Sequence, residues 1–284
     1  MVDSFRHAGQ PLCPHPSAVA GLVVLSLLGL LALFAPVIAP YDPFALSGNA
    51  MLAPPGPDHW LGADQLGRDL LSRLLYGARI SFHVAVLSVG FALGIGTLAG
   101  GIAGYVGGWI DQVVSRCVDV LFSIPDILLA LAIMAALGPT LNHLVLAIGI
   151  VYTPIFARIA RGAVLDLRHA DYIEAARSIG SSPAAILYRH VLPGILGPLV
   201  VQTTLSFAFA ILTEAALSFL GLGVEPDQPS WGILLNQGKD LMERAWWIAV
   251  FPGLAITLTV FCFNLVGDGL RDALDPRVRA EKRA

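Results

Sequence analysis

Two carboxylates stand inside otherwise apolar runs: Asp126, directly after Pro125, and Glu214, within the thirty residues from Gly194 to Gly223. A charge at the centre of a bilayer costs about 3 kcal/mol on the insertion scale, so each must face protein or water if its run crosses a membrane. Asp126 reads either as lining a polar path or as capping a helix that restarts after Pro125. Glu214 reads either as a pathway carboxylate or as one at the membrane interface, and the interfacial reading is preferred here. Other chemistry is sparse. The seven histidines are dispersed, and neither HExxH, GxSxG nor a pair of membrane aspartates occurs, which argues against an intramembrane hydrolase. Cys13, Cys117 and Cys262 are odd in number and far apart, so no disulfide or metal framework follows. Lys239 and Lys282 are the only lysines, and the single Gly-Lys, Gly238-Lys239, is followed by Asp240. A P-loop needs Ser or Thr there, so the chain has no nucleotide site of that kind.

A different chemistry, docking, is offered by DYIEAARSIGSSPAAILYRHVLP, residues 171–193. Asp171 is suited to an N-cap with Glu174 at N3, starting a helix through Ile173, Ala175, Ala176 and Ile179, which Gly180 stops. Ser182 is a second N-cap with Pro183 at N1, so a short second helix follows, and Pro193 opens the next apolar run. Helix, glycine turn, helix, with alanines where bulk would block approach, is shaped to fit another protein's groove. A solvated interhelical loop would share that shape.

These residues are positioned by membrane helices. Of 284 residues, 56% are hydrophobic and 13% charged, and the mean hydropathy is +0.74, above that of a soluble domain. After a polar tail, 1–17, the 22 uncharged residues 18–39 suffice to cross a roughly 30 Å core and are too long for a signal peptide. A polar segment, 40–79, opens with prolines. Its charges Asp64, Arg68, Asp69, Arg73 and Arg79 stand beside leucines at the spacing of an amphipathic helix, either lying at the interface or simply solvated. The remaining core, 80–267, has further spans expected at 81–105, 118–137, 144–163, from 194 to near Glu214, and 248–266. The first of these carries Gly90, Gly94, Gly96, Gly100, Gly101 and Gly104, small residues that permit close helix approach in lipid. Trp246 and Trp247 mark a headgroup boundary before the last span. The tail, 268–284, is charged.

Six spans put both tails and the loop 164–193 on one side. Twelve of the seventeen Lys and Arg fall on that side and five on the other. The positive-inside rule therefore makes the termini and the elbow cytoplasmic.

Glu174-Ala175-Ala176, with Gly180 and then Leu192-Pro193, resembles the EAA loop of ABC importer permeases. The isoleucine usual two residues before Leu-Pro is His190 here. LGADQLGRDLLSRLLYGARIS (61–81), EAALSFLGLG (214–223) with Pro229-Ser230-Trp231-Gly232, and FNLVGDGLRDALDPR (263–277) are similar to the C-type permeases of dipeptide, oligopeptide and nickel importers. The resemblance implies an all-α polytopic membrane protein of about six transmembrane helices with the type I-like permease fold. In that family the loop forms a coupling helix seated in a cytoplasmic ATPase, which assigns ATPase coupling to Glu174, Ala175, Ala176, Gly180, Ser182 and Pro183. The partners implied are a second homologous permease, one or two ATPase subunits and an extracytoplasmic substrate-binding protein, in the inner membrane, without nucleic acid. ATP and Mg²⁺ would be bound by the partners and no cofactor by this chain. Asp126, Glu214, Arg68 and Arg73 are candidates for the translocation path or a gate. The cargo expected is a di- or oligopeptide; nickel or a metallophore is the alternative on the same architecture. An ion-coupled secondary transporter using Asp126 and Glu214 is the competitor from another class, and it leaves the elbow unexplained.

Overall fold

A computed structural model describes residues 16–168, 170–186, 189, 191–225 and 227–274. The expectations placed on residues 1–15 and 275–284 of the two tails and on His190 lie outside these residues, as do the side chains of Arg177 and Pro183. Among the described residues the chain is helical: α1 Pro16–Leu33, α2 Ala35–Ile38, α3 Leu70–Val106, α4 Gly108–Phe122, α5 Asp126–Leu137, α6 Leu141–Leu167, α7 Asp171–Ser178, α8 Pro183–Ile186, α9 Leu192–Phe219, α10 Trp231–Lys239 and α11 Trp247–Leu274. Five of them (α1, α3, α6, α9 and α11) are long and apolar enough to cross a membrane, and α4 with α5 makes a sixth crossing if that bent pair is one span.

The centre is the packing of α3 on α6. A Cβ on Gly96 would press on Phe156 Cβ at 2.7 Å, one on Gly100 would strike the Ala157 backbone, and one on Gly104 would meet the Arg161 carbonyl at 2.9 Å. One stripe of three glycines thus lets two backbones touch, while Gly90, Gly94 and Gly101 face open space. Only part of the expected small-residue set therefore does the packing. The surrounding core includes Val84, Val89, Leu144, Ile148, Phe156, Ile195 and Ile211. A Tyr152 hydroxyl bonded to Thr213 Oγ1 at 2.9 Å joins α6 to α9. At the flank, Gly21 of α1 lies against the Cys262 carbonyl of α11, and Gly269 of α11 lies against Ala18.

Several expected spans are redrawn. No amphipathic helix lies flat over residues 64–79: Asp69 caps α3 by accepting the Ser72 N–H at 2.8 Å, and α3 runs unbroken for 37 residues. The expected single span 118–137 is broken at residues 123–125, with α4 and α5 bent by 90°. Pro125 has no N–H to continue the ladder, and its carbonyl instead starts α5 by accepting from Leu128 at 2.9 Å and Leu129 at 3.0 Å. α9 continues beyond Glu214 to Phe219, and α11 extends to Leu274, into the stretch expected as tail. Trp246 is exposed at the start of α11, while Trp247 is buried and donates to the Ala63 carbonyl at 3.1 Å.

α4 has no buried residue. Two of its carboxylates pair with α6: Arg161 grips Asp111 with two nitrogens, and Arg158 meets Asp119 at 2.9 Å in a pair more than half exposed. Trp109, Val113 and Val120 face outward.

Candidate functional site

The elbow forms as helix, turn, helix. Ile173 and Glu174 donate to the Ala170 carbonyl, so α7 starts one residue earlier than expected, with Asp171 inside its first turn and not at the cap. Ser181 N–H returns to the Ala176 carbonyl at 3.1 Å across Gly180, whose φ is +83°. This is a Schellman closure, and the left-handed φ is what calls for glycine, since a Cβ there would meet nothing within 4 Å. Ser182 caps α8 by accepting from Ala185 N–H at 3.3 Å. α8 is described over the four residues Pro183–Ile186.

The elbow is anchored on one side and free on the other. Ile173, Ala176, Ile186 and Val191 are buried in the core, and Gly194 lets the first turn of α9 abut Leu167 at the end of α6. Ala176, expected on the docking surface, therefore packs inward. Glu174, Ala175, Gly180 and Ser182 are exposed, and Ile179 is 83% exposed, an apolar side chain presented at the tip. The beginning of α1 and the end of α11 lie at this same end of the bundle, since Gly269 touches Ala18 and Leu274 reaches Gly197.

The other end holds a buried polar network. Asp64 accepts from the Leu66 and Arg68 N–H groups at 2.8 and 3.0 Å and from Arg68 Nε at 2.7 Å, and Arg73 Nε stands 3.6 Å away. Asp69 holds Ser72 Oγ at 2.7 Å and His59 Nδ1 at 2.9 Å, pinning the segment before α3 onto its first turn. Arg68 and Arg73 are both buried, so neither presents charge to solvent. Glu214 is also fully buried within the protein: Ser81 donates to Oε2 at 2.7 Å and Ser218 to Oε1 at 2.8 Å. Asp126 is exposed in the first turn of α5, away from these groups. The restart after Pro125 is thus observed, and the carboxylate sits where a helix N-terminus favours it. Ser218 is one helical turn from Glu214 and could have been found from spacing; Ser81 is 133 residues away and could not.

A bundle of membrane-crossing helices with one exposed elbow between two of them is a transporter architecture. It is similar to the inward-facing MetNI methionine ABC transporter, with a TM-score of 0.60 and 21% identity over 72% of this chain and 98% of that one, a likeness of fold. Residues 96–280 match the binding-protein-dependent transport system inner membrane component, and residues 5–55 match the N-terminal TM domain of oligopeptide transport permease C. The chain belongs to that family of binding-protein-dependent permeases. It is 43% identical to the dipeptide transport system permease protein DppC of Alkalihalophilus pseudofirmus over 98% of this chain and 92% of the relative. It is 45% identical to the glutathione transport system permease protein GsiD of Pectobacterium atrosepticum over 94% and 88%, and 44% identical to the di/tripeptide transport system permease protein DppC of Pseudomonas aeruginosa over 95% and 91%. The chain is accordingly an inner-membrane transport subunit and not an enzyme.

Proposed function

We propose that this chain forms half of the translocation pore of a peptide importer, pairs with a second homologous permease, and takes its driving force from cytoplasmic ATPase subunits that carry the ATP and Mg²⁺. An extracytoplasmic binding protein delivers the cargo. Relatives named for dipeptides, di/tripeptides and glutathione support a short peptide over nickel. The elbow end faces the cytoplasm, in keeping with the excess of Lys and Arg on that side. The opposite end, with Arg68 and Arg73 locked to Asp64, braces an extracytoplasmic gate.

The observation that carries the coupling assignment is the elbow itself. Its inner side is fixed by Ile173, Ala176 and Ile186, and its outer side presents Glu174, Ala175, Ile179 and Gly180. A push on that outer side reaches α6 and α9, which the elbow joins, and turns them as rigid rods in an alternating-access cycle. Gly180→Leu strains the left-handed turn and Glu174→Arg reverses charge on the docking side; both variants should insert normally and lose ATP-driven peptide uptake in proteoliposomes holding the complete complex. Unchanged uptake in both would remove the assignment.

A further inference from the structure

Glu214 lies five residues from the end of α9 remote from the elbow, yet the groups around it come from three elements. Ser81 of α3 donates to Oε2 at 2.7 Å, and Ser218 of α9 donates to Oε1 at 2.8 Å. Ser230, which caps α10 by accepting the Ile233 N–H at 3.3 Å, stands beside the same carboxylate. The carboxylate has no exposed surface. It therefore does not line a path, and its two donors tie α3 to α9 beside the cap of α10.

The packing around it has the same consequence. A Cβ on Gly232 of α10 would fall 2.7 Å from Ser218 Cβ and 2.8 Å from Ala215 Cα of α9. A Cβ on Gly77 of α3 would fall 3.0 Å from Trp231 Cδ1 and 3.3 Å from Trp231 N. Trp231 Nε1 donates to the Leu74 carbonyl at 3.0 Å, and Asn236 Nδ2 donates to the Phe219 carbonyl. α10 cannot slide on α9 or α3 without parting these close contacts and leaving a buried carboxylate short of donors, a state of high cost in a low-dielectric interior.

At its other end α9 begins at the elbow, and 28 helical residues span about 42 Å between the two. We propose that Glu214 is a positioning residue of the transport cycle: it pins α10 to α9 and α3, so that displacement of the elbow arrives at the opposite end of the molecule as displacement of α10. The inference rests on the importer reading above.

The test uses the whole complex, with its second permease, ATPases and binding protein, in proteoliposomes. Uptake of a labelled tripeptide and ATP hydrolysis are measured on the same vesicles for the wild type, Glu214→Gln, Glu214→Leu and Ser230→Ala. Glutamine keeps the volume, accepts one hydroxyl and donates to another, so peptide moved per ATP should stay within about twofold of wild type. Leucine leaves the Ser81 and Ser218 hydroxyls without their acceptor, and the ratio should fall by about tenfold while ATP hydrolysis persists. Ser230→Ala should give an intermediate ratio, and it decides the matter if the leucine variant does not insert. A wild-type ratio in Glu214→Leu or in Ser230→Ala overturns the pin. So does a proportionate fall of uptake and hydrolysis in which Glu214→Gln fares no better than Glu214→Leu, the mark of a purely structural role. Wild-type vesicles that accumulate no peptide would overturn the importer reading beneath it.

Discussion

Asp64 shows how one side chain can organise a segment. It accepts two backbone N–H groups of its own turn and the Arg68 guanidinium, and it is the carboxylate nearest the buried Arg73, whose Nε and Nη1 have no hydrogen-bond partner. Removing one partner of a buried ion pair leaves an uncompensated charge, so Asp64→Ala should destabilise the protein by about 3–5 kcal/mol. Thermal unfolding in detergent would register this as a lowered midpoint. Asp64→Asn keeps an acceptor for the two N–H groups and should cost less; equal stability of Asp64→Ala and wild type would refute the argument. The charges of residues 64–79 were legible as a group, but their burial was not. The i, i+4 spacing of Asp64 and Arg68 fits a solvated helix as well as a buried turn, and only the packing of the segment under Trp247 separates the two.

The decisive element is the α3–α6 pair. Gly96, Gly100 and Gly104 recur every fourth residue along one face of α3, and the Ala157 backbone occupies the space that a side chain at 100 would need. Gly100→Leu should force the helices apart, costing about 1–3 kcal/mol or more by overpacking, and should lower the yield of folded protein on size exclusion. Gly94→Ala, where a Cβ meets nothing within 4 Å, should be neutral or stabilising, because alanine outranks glycine by about 1 kcal/mol in a helix interior. If Gly94→Ala proved as damaging as Gly100→Leu, the glycines would matter for flexibility and not for contact. Sequence spacing located the stripe. It did not separate Gly96, Gly100 and Gly104 from Gly90, Gly94 and Gly101, since choosing among rows of one helix requires the partner's position.

Across the whole molecule, one end presents the elbow and the other is closed by α10 and the segment before α3. Gly238-Lys239 leads to Asp240, where a P-loop would need Ser or Thr, and lies at the end of α10. In the importer reading proposed above, a partner supplies the energy. The chain alone in proteoliposomes should show no peptide accumulation under an ion gradient, and uptake should appear only with the ATPases, the second permease and the binding protein restored together. Gradient-driven accumulation by the chain alone would favour the ion-coupled alternative.

Apolar run lengths, capping residues and the glycine between two short helices determined that this is a helical membrane protein with an elbow, because backbone satisfaction in lipid leaves helices as the means of crossing and local capping is written in neighbouring residues. Tertiary structure alone decided that Ala176 faces inward, that Pro125 turns a span by 90°, and that Glu214 is sealed among hydroxyls from α3, α9 and the start of α10. Each of these depends on which distant residue fills the space beside it, and local spacing carries no record of that.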